Sequence, residues 1–187
     1  MKQSPWLTQR AEDPERSLSH SYLLEVLSAV ARALDYAHQR GIVHRDVKPS
    51  NIMLDSDLNE IHIVDFGLAT HAMADGSTIT GTPKYMAPEQ WTTERQDGRT
   101  DQFALGVVAY EMLSGDVPFA GVDSGSGFGI DQVGRKVASE KIPPVPDLKS
   151  KVNAVLAKSM SHSKEARFGS CVEFVQNLAQ ALGNPKS

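Results

Sequence analysis

The segment HRDVKPSN at positions 44–51 lies between a stretch with helical periodicity and two short apolar runs. It is charged and contains a proline, so we predict a loop there. Upstream of it, the apolar residues that recur at the spacing of one helix face are Leu23, Leu27, Val30 and Leu34. A helix is therefore predicted from Ser19 onwards. It should end at Gly41, because glycine readily adopts the backbone conformation that follows a helix.

The residues after this loop predict a small β-hairpin. Two apolar runs, residues 52–54 and 61–64, are separated by polar residues of the kind that form turns. Residues 65–99 show no sustained periodicity and contain glycines and two prolines, so we predict one long ordered loop. Long ordered loops in compact domains are usually functional.

A buried central helix is predicted from about 101 to 113, because this segment is apolar on nearly every face. Thr100 is placed to cap its start, and Gly115 is placed to end it. Residues 121–129 (GVDSGSGFG) are typical of a flexible linker, and residues 142–146 form a further break.

Two amphipathic helices are predicted to finish the chain. Asp147 is placed to cap the first of them. Ser170 and Glu173 form a predicted capping box for the second, which runs to residue 182 before a short tail at 183–187. The predicted fold class is therefore mainly α (α+β), helical with one small hairpin next to the charged loop.

Composition narrows the function classes. The chain has 187 residues, 40% of them hydrophobic and 22% charged, as in ordinary globular proteins. Its net charge of −4 disfavours nucleic acid as a partner. Its single cysteine, Cys171, allows no internal disulfide, which favours a reducing compartment. We find no apolar run long enough to span a bilayer and no signal-peptide pattern, so a cytoplasmic protein without a membrane segment is expected.

Three motifs occur in a fixed order. The charged loop is followed, fourteen residues beyond Asn51, by Asp65-Phe66-Gly67, and then by Ala87-Pro88-Glu89. Either short motif alone is weak evidence, but together with residues 44–51 they closely resemble eukaryotic-type serine/threonine protein kinases, most of all bacterial ones. Residues 81–89 and 101–115 resemble the substrate-facing loop and the buried helix of that family. The resemblance covers about 19–182, with the catalytic loop at 44–51 and the activation segment at 65–89.

The resemblance implies the chemistry of the site. Asp46 would orient the substrate hydroxyl and take its proton late, and Lys48 would place a positive charge near the γ-phosphate of ATP. Asn51 and Asp65 would bind Mg²⁺, which prefers such oxygen ligands. Met53 stands where the family places the apolar floor under adenine, although a plain core methionine explains this residue equally well.

The resemblance also implies supporting roles. Lys48 together with Thr82 marks a serine/threonine kinase, with the Thr82 hydroxyl bonded to Asp46 and Lys48. Arg45 suggests control by phosphorylation of the activation segment. The candidate acceptors are Thr78 and Thr80, and then Ser77. The expected structural residues are His44, Arg45, Phe66, Gly67, Asp101, and the buried ion pair of Glu89 with Arg167. Ser163-Lys164 departs from the family, which commonly has an acidic residue and a proline there.

A complete kinase of this family also has an N-terminal lobe, and only 43 residues precede His44. We therefore expect a C-terminal lobe with residues 1–18 as a loose lead-in, nearly inactive unless a separate N-lobe or a regulatory partner completes it. Three interpretations stay open at this point. They are a catalytic lobe that phosphorylates a protein substrate, a non-catalytic kinase-like interaction module, and an inactive pseudokinase fragment or gene remnant.

Overall fold

The computed structural model describes residues 19–55, 60–66, 70–72, 78–80, 82–92, 94–119 and 127–183. The predicted fold class is confirmed, because these residues form five α-helices and two small antiparallel sheets. The helices are α1 (His20–His38), α2 (Gly98–Ser114), α3 (Gly127–Ser139), α4 (Ser150–Ser159) and α5 (Cys171–Leu182). The strands are β1 (Ile52–Asp55), β2 (Glu60–Ile63), β3 (Thr70–Ala72) and β4 (Thr78–Thr80). Short 3₁₀ turns lie at Pro49–Asn51, Pro83–Tyr85, Pro88–Trp91 and Lys164–Ala166.

Helix α1 confirms the helix predicted before the charged loop. The Ser19 hydroxyl caps it by accepting a hydrogen bond from the Tyr22 amide at 3.2 Å. The four residues of the predicted apolar face are all buried. Gly41 follows with φ +76°, a left-handed conformation that side chains with a Cβ rarely adopt, and it turns the chain into the charged loop.

The predicted hairpin is present as β1 and β2, paired antiparallel with Ile52 opposite Ile63. The prediction of one unbroken loop over 65–99 is wrong, because β3 and β4 form a second antiparallel pair within it. Each of these strands has three residues. That length is too short for an alternating pattern to be recognised in the sequence.

Helix α2 is the buried central helix that the sequence predicts. Every residue from Thr100 to Met112 is buried, and Gly115 ends the helix with φ +90°. The predicted cap is wrong, because the helix begins earlier and Asp97 caps it by accepting a hydrogen bond from the Arg99 amide at 2.9 Å. The Thr100 hydroxyl instead donates to Glu89 Oε1 at 2.9 Å.

The C-terminal third contains one helix that the sequence did not predict. Helix α3 begins at Gly127, so the last residues of the predicted linker are helical, and its glycines had concealed the pattern. Asp147 does not cap α4, since it has φ +64° and Lys149 precedes the helix. Ser170 does cap α5, by accepting a hydrogen bond from the Glu173 amide at 3.1 Å. Residues 1–18, 120–126 and 184–187 lie outside the described residues.

Helix α2 lies at the centre of the packing. Helices α1, α4 and α5 all contact it, and α1 and α4 also pack against α5. Strand β2 packs on α1, so the hairpin and the charged loop are held against this helical core. Among the described residues, no helix is both long enough and apolar enough to cross a lipid bilayer.

The close packing of α2 on α4 depends on Gly106. A Cβ at this position would lie 2.5 Å from Ser159 Oγ and 2.9 Å from Met160 Cγ. We expect Gly106→Ala to lower the free energy of unfolding by about 1–3 kcal/mol in urea denaturation. The loss should be smaller in a Ser159→Ala background, because the clashing hydroxyl is then absent. An equal loss in both backgrounds would contradict this packing account.

Candidate active site

The charged loop is anchored by one buried carboxylate on α2. Asp101 is fully buried, and its Oδ2 and Oδ1 accept hydrogen bonds from the backbone amides of His44 at 2.8 Å and Arg45 at 2.7 Å. Arg45 has φ +68°, a conformation that costs energy in any residue other than glycine. The two hydrogen bonds therefore hold the loop in a backbone shape that it would not adopt alone.

His44 uses both of its ring nitrogens inside this loop. Nε2 lies 2.9 Å from the Val64 carbonyl oxygen, to which it donates, and Nδ1 accepts the Asp46 amide at 3.2 Å. The ring also packs on Phe66 with centroids 4.4 Å apart. With both nitrogens engaged, the ring ties the loop to the residues that follow β2.

Asp46 lies at the centre of a compact polar group. Its side chain is buried, with Oδ1 accepting the Thr82 hydroxyl at 2.8 Å and Oδ2 lying 2.7 Å from Lys48 Nζ. Lys48 Nζ also donates to Thr82 Oγ1 at 2.7 Å, which closes a triangle of three side chains. Asn51 Nδ2 donates to Asp46 Oδ2 at 3.1 Å. Residues from two distant segments thus fix the position of one carboxylate.

The side-chain oxygen atoms of Asn51 and Asp65 are of the kind that binds Mg²⁺. Asn51 Nδ2 donates to the Asp46 carbonyl oxygen at 2.8 Å, so the amide nitrogen is committed to the loop. Among the described residues the Asn51 amide oxygen accepts no hydrogen bond, and Asp65 is exposed two residues after β2 with φ +62°. An amide oxygen and a carboxylate are hard ligands of the kind that Mg²⁺ prefers. Met53 is 53% exposed, so it is not a core methionine.

The predicted ion pair of Glu89 and Arg167 is present and is bidentate. Arg167 Nη1 and Nη2 donate to Glu89 Oε1 and Oε2, each at 2.8 Å, and both side chains are buried. Burial alone would raise the pKa of Glu89, but the hydrogen bonds and charge of Arg167 outweigh it and hold that pKa below its ordinary value. The remaining donors of Arg167 bind the carbonyl oxygens of Ser161, Arg99 and His162.

The departure from the family at Ser163-Lys164 leaves this pair intact. The segment forms the short turn Lys164–Ala166. Lys164 Nζ donates to the Arg95 carbonyl oxygen at 2.6 Å and lies 3.6 Å from Asp97 Oδ2, next to the start of α2. Lysine at this position thus ties the turn to the segment that precedes the central helix.

Not all candidate phosphorylation sites of the activation segment lie within the residues that the structure describes. Thr78 and Thr80 are the end residues of β4. Ser77 and Gly67 lie outside the described residues. Arg45 is exposed, and within the described part of the chain its side chain makes no hydrogen bond or ion pair. Its proposed pairing with a phosphate therefore stays a prediction.

Two polar contacts that the sequence did not predict shape residues 82–92. Gln90 donates to the Arg45 carbonyl oxygen at 2.9 Å and accepts the Ala87 amide at 3.0 Å. Tyr85 donates its hydroxyl to Glu111 at 2.8 Å, where burial raises the pKa of the carboxyl group. A charged residue inside the otherwise apolar stretch 103–113 was the available signal for Glu111, because buried charges need partners.

Comparison with known proteins identifies the family. The family described as "Protein kinase domain" matches residues 3–180. Serine/threonine-protein kinase PknB of Mycobacterium tuberculosis is 35% identical over 166 residues, covering 84% of this chain and 26% of the relative. PknF of the same species is 37% identical over 176 residues, covering 85% and 34%. The crystal structure of the Mycobacterium tuberculosis PknI kinase domain has 31% identity and a TM-score of 0.66, covering 94% and 61%.

The chain therefore belongs to the protein kinase domain family. Its named relatives are bacterial serine/threonine-protein kinases, as the motifs predicted. The chain spans about a quarter of the length of PknB and about a third of PknF.

Loss of one partner of the buried ion pair should destabilise the fold. We expect Arg167→Met to lower the free energy of unfolding by about 3–5 kcal/mol, because it leaves the Glu89 carboxylate buried without a cation. Lys151→Met, at an exposed position on α4, is the matched control and should change little.

The pH dependence of stability provides a second measurement on this pair. The pKa of Glu89 is lower in the folded chain than its ordinary value of 4.5. Its contribution is therefore present above about pH 4.5 and is lost as the pH falls through the folded value. Urea denaturation of the Arg167→Met chain should lack this part of the acid destabilisation. An acid profile parallel to that of the wild type would argue against the pair as its source.

Proposed function

We propose that this chain is the catalytic C-terminal lobe of a serine/threonine protein kinase, which transfers the γ-phosphate of ATP to a Ser or Thr hydroxyl of a protein substrate. The observation that carries this proposal is the triangle of Asp46, Lys48 and Thr82, with Asn51 bonded to the same carboxylate. A chain that only bound partners would have no chemical need for this arrangement. Family membership supports the proposal.

The Asp46 carboxylate is the group that would position the acceptor hydroxyl of the substrate. A substrate hydroxyl donates a hydrogen bond to Asp46, which aims the hydroxyl oxygen at the γ-phosphorus. The new oxygen–phosphorus bond forms as the bond to the β–γ bridging oxygen breaks, ADP leaves, and Asp46 takes the hydroxyl proton. Lys48 stabilises the negative charge on the transferred group. The Thr82 hydroxyl, which is hydrogen-bonded to both groups, keeps the Asp46 carboxylate and the Lys48 ammonium group in position for this step.

Asn51 and Asp65 are the proposed ligands of Mg²⁺. These two residues belong to separate segments, the 3₁₀ turn Pro49–Asn51 and the residues that follow β2, and they would hold Mg²⁺ through oxygen atoms. Bound Mg²⁺ would offset the negative charge of the ATP phosphates. The exposed Met53 on β1 would supply apolar contact to the adenine base.

Control by phosphorylation is proposed for the activation segment. The exposed guanidinium of Arg45 would pair with a phosphate on Thr78, Thr80 or Ser77. Such a pair would fix the activation segment on the catalytic loop, since Arg45 is already held there by Asp101. We place the protein in the cytoplasm and expect its partners to be protein substrates and the regulators of this segment.

Nucleotide binding by the 187-residue chain tests the proposed Mg²⁺ site at Asn51 and Asp65. At a concentration 100 times its dissociation constant, Mg-ATP should stabilise the chain by about 2.7 kcal/mol in thermal unfolding. Asp65→Ala should abolish the shift. Glu140→Ala, which removes an exposed carboxylate after α3, should retain it. The absence of any shift in the wild type would mean that the chain alone does not bind the nucleotide, as expected of a lobe that needs a separate N-lobe or of a non-catalytic interaction module.

A phosphoryl-transfer assay tests the proposed roles of Asp46 and Thr82 in positioning the acceptor hydroxyl. We expect Thr82→Val to slow transfer of labelled phosphate to a Ser/Thr-rich protein by about 10- to 100-fold, since it removes hydrogen bonds to two charged groups. Thr82→Ser, which keeps the hydroxyl, should lose less. Single-turnover conditions suit this assay, because we expect slow turnover. Equal losses in the two variants would argue against the hydroxyl as the cause, and transfer that survives Asp46→Asn unchanged would exclude the proposed base.

A further inference from the structure

His38, in the last turn of α1, lies between two carboxylates. Its Nε2 is 2.7 Å from Asp101 Oδ2 on α2, and its Nδ1 is 3.6 Å from Asp35 Oδ1 on the same helix. The ring is largely buried. It fits there because Gly98 has no side chain, since a Cβ at that position would lie 2.6 Å from the ring Nδ1.

Each of these two carboxylates holds backbone amides of another segment. Asp101 accepts the amides of His44 and Arg45 in the catalytic loop. Asp35 accepts the amides of Cys171 and Val172, each at 3.0 Å, in the first turn of α5. A continuous chain of polar contacts thus runs from the start of the last helix, through His38, to the catalytic loop.

The electrostatics favour a charged His38. Burial alone would lower its pKa, but the hydrogen bonds and negative charges of Asp101 and Asp35 outweigh burial and raise the pKa to about 9. An imidazolium donates a hydrogen bond from Nε2 to Asp101, and its positive charge also lies 3.6 Å from Asp35 Oδ1, so one cation offsets both carboxylates. The other ionisable groups around the ring, from α5, the start of α2 and the catalytic loop, are Cys171, Asp97, Arg99, Glu94, Arg95 and Arg45.

We propose that His38 is a positioning residue, whose imidazolium holds Asp101 against the catalytic loop and couples that loop, through Asp35, to the start of α5. Its part in phosphoryl transfer rests on the function proposed above, whereas the coupling itself is a property of the folded chain. His38 touches neither Asp46 nor the two proposed metal ligands, so it acts on the reaction through the loop backbone alone.

The loop needs this cation because of the backbone strain at Arg45. Without the imidazolium, Asp101 is a fully buried carboxylate whose described hydrogen-bond donors are two amides, and it faces a second carboxylate across the histidine site. The left-handed conformation of Arg45 is held by the same Asp101. Since the folded pKa of His38 is raised above its ordinary 6.5, this support is complete below about pH 6.5 and is lost as the pH rises through about 9.

Nuclear magnetic resonance on the 187-residue chain, without nucleotide, tests the coupling. The His38 Cε1–H signal reports the protonation of the ring. Carbon-detected correlations of the peptide bonds Val43–His44 and His44–Arg45 report the loop, without interference from amide exchange at high pH. We expect both sets of signals to move together with a midpoint near pH 9. In His38→Gln, which keeps a hydrogen-bond donor but no charge, the peptide-bond transition should disappear.

Asp35→Asn is the second variant, since it removes a charge without touching Asp101 or the loop. It should lower the shared midpoint of both sets of signals by about one pH unit. A His38 midpoint near 6.5, peptide bonds that do not respond to it, or a midpoint unchanged in Asp35→Asn would each overturn the proposal. These outcomes are independent of nucleotide binding and transfer, so failure of the proposed function would appear in those assays alone.

Discussion

The arrangement of the site depends on the burial of the Asp101 carboxylate at the start of the central helix. With no exposure to water, this group must find all its partners within the protein, and it finds two of them in the backbone of the catalytic loop. The loop is thereby fixed to the most buried element of the fold. Asp46, Lys48 and Asn51 all follow within six residues of that attachment, so their positions derive from it.

A second buried charge fixes the other side of the site. The pair of Glu89 and Arg167 joins the end of the activation segment to the turn before α5, and Thr100 on the central helix bonds to the same carboxylate. Thr82 lies on the segment that this pair holds, and it reaches across to Asp46. The side of the site that is proposed to bind the acceptor is therefore assembled from two segments, each tied to α2 by a buried carboxylate.

The sequence could predict what depends on long apolar patterns and on specific motifs. The periodicity of α1, the apolar α2 and the motifs at 44–51, 65–67 and 87–89 were sufficient for the fold class and the family. The pairing of Glu89 with Arg167 came from the family resemblance. Short or glycine-rich elements were missed, namely β3, β4 and α3, because three-residue strands show no period and glycines weaken a helical pattern.

Polar contacts between distant segments were the hardest to predict. Nothing in the spacing of His38 and Asp101, 63 residues apart, indicates that their side chains meet. The cap of α2 was assigned to the wrong residue because both Asp97 and Thr100 lie near the helix start, and tertiary packing selects between them. Helix α4 begins after Lys149, whose side chain makes no capping hydrogen bond, so the cap predicted at Asp147 is absent. Such contacts require the fold itself, which brings the end of α1 to the start of α2.

Hydrogen–deuterium exchange on the chain and on its Asp101→Asn variant tests the central claim most directly. Asn replaces one acceptor oxygen by an amino group, so one loop amide loses its partner while the shape of the side chain is kept. We predict that protection of residues 42–51 falls at least about tenfold, which corresponds to about 1.4 kcal/mol, while protection of residues 23–34 in α1 is retained. Unchanged protection of the loop, or an equal loss in both segments, would contradict the claim that Asp101 organises the catalytic loop.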